Sequence, residues 1–62
     1  QLQRLSDAIE MLNADERALI TLYYMNEKPV AEVASVLGLT ASNVKIKLHR
    51  IRKKLYLILN DL

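Results

Sequence analysis

Apolar residues recur along this chain at three- and four-residue intervals, a spacing that predicts four helices and no strands. The first helix is expected over residues 2–12, with Leu2, Leu5, Ile9 and Leu12 on one stripe. Asn13 then fits an N-cap. Glu16, three residues on, can reach back to the Asn13 N–H in a variant of the capping box. Asp15 and Glu16 also suit the positive end of a helix dipole. The second helix is expected over residues 14–25 and is apolar on most sides. Ala18, Leu22 and Met25 share one side, Leu19 and Tyr23 lie beside them, and Ile20 and Tyr24 fall elsewhere. Such breadth predicts a central helix that touches several neighbours.

Asn26 to Lys28 form a polar break. Pro29 suits a first-turn position, where its missing N–H is not needed. The third helix, residues 30–37, aligns Val30, Val33, Ala34 and Leu37. Gly38 is expected in the left-handed conformation just past its end. Leu39, apolar inside the turn, is expected to plug the core, and Thr40 is a good N-cap. The fourth helix, residues 41–59, is the longest. At steps of about 100°, Val44, Leu48, Ile51, Leu55 and Ile58 share one face. Ser42, Ile46, His49, Arg50 and Lys53 fall opposite, with Asn43, Lys45, Lys47, Arg52 and Lys54 on the flanks. The expected fold is therefore all-α: one four-helix domain over residues 1–62 that ends in a helix-turn-helix.

Composition narrows the chemistry. A domain of 62 residues buries only about 60% of its unfolded surface, so its stability margin is thin. The absence of Cys removes disulfides and thiolate zinc sites and fits a reducing compartment. His49 is the sole histidine, no Gly-rich phosphate loop is present, and the acids are scattered. No catalytic group, metal site or cofactor is expected from such a set. No apolar run approaches a membrane span, and nothing resembles a signal peptide. The chain does not begin with Met, as expected of a domain excised from a longer protein.

Charge distribution matters more than the net +2. Residues 1–31 carry three cations against five acids, and residues 32–62 carry six against two. All six of those cations, Lys45, Lys47, Arg50, Arg52, Lys53 and Lys54, fall in one ten-residue window with no acid. One end of the domain can sit on a polyanion while the other stays away. In the major groove of DNA, the N-terminal half of such a helix meets base edges. Ser42, Asn43, Ile46, His49 and Arg50 are the base-reading candidates. Arg50 suits guanine, Asn43 suits adenine, and Ile46 suits a thymine methyl. Lys45, Lys47, Arg52, Lys53 and Lys54 suit phosphates. Taken singly, each of these residues also fits an ordinary solvated helix face. Tyr23 and Tyr24 fit core or rim packing better than stacking on bases. The joint pattern of turn, cap and cations carries the nucleic-acid reading.

The segments DERALITLYYM (15–25) and VAEVASVLGLTASNVKIKLHRIRKKL (30–55) resemble region 4, the C-terminal domain, of bacterial sigma factors of the extracytoplasmic-function group. Ala34, Gly38 and Val44 stand at that family's helix-turn-helix spacing. The resemblance implies binding of double-stranded promoter DNA at the −35 element and docking on the β flap of core RNA polymerase. It also implies that an anti-sigma factor can cover the domain. By position, Lys45, Ile46, His49 and Arg50 match the family's DNA-facing residues, and Tyr23 matches a backbone-contacting one. Val30 and Ala31 depart from the polar or aromatic residues common there, which weakens the case for contacts at that point.

Two other readings fit the same residues. A DNA-binding domain of a LuxR-type response regulator shares four helices and usually dimerises through its last one, and the apolar tail LYLILNDL (55–62) keeps that option open. A basic helical module for an acidic protein or membrane surface would need a wide outward apolar face. The fourth helix offers only Ile46 and Leu57 there.

Overall fold

The computed structural model describes residues 2–61, with side chains described for residues 4–60. It contains four helices and, among the described residues, no strand. They are α1 (Leu2–Glu10), α2 (Ala14–Ile20, continued by a π-helical turn over Thr21–Met25), α3 (Val30–Leu37) and α4 (Ala41–Asp61). α1 closes two residues before the expected end. Met11 and Leu12 donate to Ala8 and Ile9 at 3.0 and 3.1 Å, tightening the last turn. Arg17 then donates to the carbonyls of Glu10 and Leu12, each at 3.2 Å, satisfying acceptors that the ended helix leaves free.

The expected capping box is present. The Glu16 N–H donates to Asn13 Oδ1 at 2.9 Å, and the Asn13 N–H donates to Glu16 Oε1 at 3.0 Å. α2 buries Leu19 and Ile20 side by side, which turns Ala18 outward. Beyond Ile20 the helix widens, and the Asn26 N–H reaches back five residues to Thr21 O at 2.9 Å. A π turn changes the phase of every side chain after it. The expected stripe of Ala18, Leu22 and Met25 therefore breaks up: Leu22 is half-buried and Met25 is 67% exposed. Glu27, at φ 55°, reverses the chain. Pro29 occupies the N-cap of α3 rather than its first turn, and its carbonyl accepts from Glu32 and Val33.

The core lies where α1, α2, α3 and the first half of α4 converge. Leu12, Leu19, Ile20, Val33, Ala34, Val44, Leu48 and Ile51 are buried there, with Leu39 packed against them as expected. On α1 the small Ala8 is fully buried, whereas Leu5 is 41% exposed and not a core residue. The side chain of Leu2 lies outside the described residues. α4 outruns its expected end at Leu59, and its tail packs on α1, where Arg4 donates to the Leu59 carbonyl at 2.6 Å.

Leu48 is nearly inaccessible at the centre of this cluster. Leu48→Ala should lower stability by roughly 2–5 kcal/mol, read as a fall in the denaturation midpoint. An unchanged midpoint would place the core on another face of α4.

Candidate nucleic-acid interface

The turn between α3 and α4 determines which side of α4 is free. Gly38 sits at φ 70°, ψ 31°, in the left-handed region. Its N–H donates to Ser35 O, and the Leu39 N–H donates to Ala34 O at 2.8 Å, the double closure of a Schellman motif. A Cβ at Gly38 would meet nothing within 4 Å, so the demand for glycine is conformational rather than spatial. Thr40 then starts α4, with its Oγ1 accepting from the Asn43 N–H at 3.1 Å.

Val44, Leu48 and Ile51 are buried, and Leu55 and Ile58 are half-buried, all on the expected face. Ser42, Asn43, Ile46, His49 and Arg50 are all exposed, and they share the N-terminal half of α4. Ile46 is 49% exposed in the midst of these polar side chains. Lys45, Lys47 and Lys53 are exposed around them and make no ion pair among the described residues.

The remaining backbone candidates are already engaged. Lys54 Nζ lies 2.8 and 3.1 Å from the two oxygens of Glu16. Arg52 Nε donates to the Tyr24 hydroxyl at 2.6 Å, with its guanidinium 5.7 Å from the centre of that ring. Tyr24 stands edge-on to Tyr23, ring centres 4.8 Å apart. Tyr23 is half-buried against the core and Tyr24 is exposed, so both pack as core and rim.

A helix-turn-helix of this geometry occurs in many DNA-binding families, and comparison with family models decides among them. The model for sigma-70, region 4, matches residues 2–55. The chain belongs to the sigma-70 region 4 family. As a region 4 domain it is a sigma-factor module for binding promoter DNA and for interaction with RNA polymerase. No curated protein and no solved structure matches the chain. Among the described residues, no helix is long and apolar enough to cross a membrane.

Two features of this region 4 domain escape sequence reasoning. One is an open apolar groove between α1, the π turn and the tail of α4, lined by Leu5, Ile9, Met25, Leu55, Tyr56 and Leu59. The apolar tail hinted at it, but helix phase alone does not bring Leu5 and Met25 to its rim. The other is Glu16 as the partner of Lys54. The two are 38 residues apart, and no spacing rule links them.

The Lys54 ammonium, and next the Asn13 N–H, hold the Glu16 carboxyl below its usual value of about 4.5, against a smaller opposing effect of burial. A depressed folded-state pKa stabilises the fold above the unfolded value, and that gain is lost as pH falls through the folded one. Both side chains keep contact with water, so the pair contributes at most about 1 kcal/mol. Glu16→Gln should therefore melt slightly below wild type at neutral pH. The difference should close as pH falls below about 4.5. A gap that persists undiminished in acid would contradict this assignment.

Proposed function

We propose that this domain binds the −35 element of promoters as double-stranded DNA, with the N-terminal half of α4 in the major groove. One observation carries the reading: in the N-terminal half of α4, the face opposite the buried stripe is a polar strip with a single aliphatic residue, Ile46, bordered by lysines without an ion pair among the described residues. A helix about 10–12 Å across matches a groove about 12 Å wide. In this pose Arg50 forks onto guanine, Asn43 pairs with adenine, and Ile46 packs on a thymine methyl. Ser42 and His49 complete the strip as single hydrogen-bonding groups.

Lys45, Lys47 and Lys53 reach phosphates and set the register. Arg52 and Lys54 reach them only by leaving Tyr24 and Glu16. Tyr23 takes part through its hydroxyl alone, since its ring is packed on the core. The apolar groove lies farther along α4, with Arg52 among its lining residues, so it suits the β flap of core RNA polymerase while DNA is held nearer the turn. An anti-sigma factor of the kind that controls the extracytoplasmic-function group would cover the same surfaces. Family membership supports this reading over a response-regulator domain, and promoter binding of this kind is a cytoplasmic task.

Affinity for duplex DNA should fall steeply with salt, the log–log slope losing about 0.9 for each phosphate contact. Binding that ignores salt would contradict a phosphate-based interface. Arg50→Ala should change the preference between sequences by about 1–3 kcal/mol, while Lys53→Ala should weaken all sequences alike. A competition assay in which the two variants behave identically would overturn the division into base and backbone contacts.

A further inference from the structure

The two flanks of α4 differ electrically. One carries Lys47 and Lys54, two helical turns apart, and faces the acidic start of α2. Lys47 and Arg50 line the same shallow groove as Asp15 and Glu16. Glu16 is fixed there from two sides: Oε1 accepts from the Asn13 N–H at 3.0 Å, and both oxygens accept from Lys54 at 2.8 and 3.1 Å. Its side chain is only 21% exposed, against 48% for Lys54. The carboxylate is therefore the rigid member of the pair and the ammonium the movable one. Lys45 and Lys53, away from that flank, have no acid of the described residues paired with them.

We propose that Glu16 is an internal competitor for DNA phosphate, holding Lys54 and screening Lys47 so that sequence-independent affinity stays low. The inference rests on the DNA-binding reading above. Affinity for arbitrary sequence comes almost wholly from cations meeting phosphates. What a promoter-reading domain needs is a large ratio of specific to non-specific binding. A phosphate approaching Lys54 must displace a carboxylate that is already pinned, so Lys54 gains little by the exchange. The fixed negative charge also repels any phosphate drawn to Lys47. Ser42, Asn43, Ile46 and His49 lie outside that groove, so the subtraction falls mainly on the non-specific part.

The test compares wild type, E16Q, K54M and the double variant on random-sequence duplex across a salt series. Gln keeps the oxygen that accepts the Asn13 N–H, so the cap of α2 survives. Circular dichroism checks that each variant is folded. E16Q should bind several-fold tighter than wild type at low salt, with a slope steeper by about 0.9, one added phosphate contact. K54M alone leaves the Glu16 carboxylate unneutralised and should bind no tighter than wild type, and most of the E16Q gain should vanish in the double variant. Wild type that binds while E16Q binds no tighter would overturn the competitor role and leave the DNA-binding reading intact. A gain that persists in full without Lys54 would overturn the clamp. Wild type that fails to bind any duplex at low salt would overturn the DNA-binding reading and this inference with it.

Discussion

The direction of α4 is set in three residues. Gly38 takes a left-handed conformation, Leu39 drops onto the core, and Thr40 restarts the helix with its own side chain as cap. A side chain with a Cβ would pay roughly 1–2 kcal/mol at such a φ, and only one glycine is present in the chain. The turn brings Val33 and Val44, both fully buried, into one core from successive helices. Once Val44 is buried, helical periodicity dictates the rest of α4. Leu48 and Ile51 follow it inward, and Ile46, His49 and Arg50 must face out.

Electrostatics then divides what packing has exposed. A helix with six cations is not uniformly available to a polyanion. Glu16 holds Lys54, and Tyr24 holds Arg52, so the cations without a partner among the described residues are Lys45, Lys47, Arg50 and Lys53. Three of those four lie in the N-terminal half of α4, which is the half that a major groove accommodates. The tail of α4 serves differently. It closes against α1 and leaves an apolar groove, so the two halves of one helix present different surfaces, polar and cationic after the turn and apolar toward the tail.

Local signals in the sequence were strong where the chemistry is local. Asn13 with Glu16, Gly38 with Thr40, and the stripe from Val44 to Ile58 each encode a boundary or a phase within one element, and each is where it was expected. Those signals fail at Thr21–Met25. The π turn exists because its bonds skip one residue more than an α-helix does, and a constant 3.6-residue period cannot express that. That period groups Met25 with Ala18 and Leu22, yet Met25 stands in solvent. Leu5 fits the α1 stripe by spacing, yet it stays 41% exposed and lines a groove instead of joining the core. For the interface, exposure of the five base-reading candidates follows from helix phase alone. The engagement of Lys54 and Arg52 does not, because their partners come from α2 and the π turn, elements distant in sequence.

The central claim is that DNA meets the outward strip of the first half of α4, nearer the turn than the apolar groove. Amide chemical shifts of the isotope-labelled protein, followed during titration with a short DNA duplex at low salt, test it most directly. The account predicts that the largest changes fall between Ala41 and Lys53 and in the turn before them, with Leu5, Met25 and Tyr56 nearly unmoved. Changes centred on the groove residues, with Ser42, Ile46, His49 and Arg50 unaffected, would contradict it.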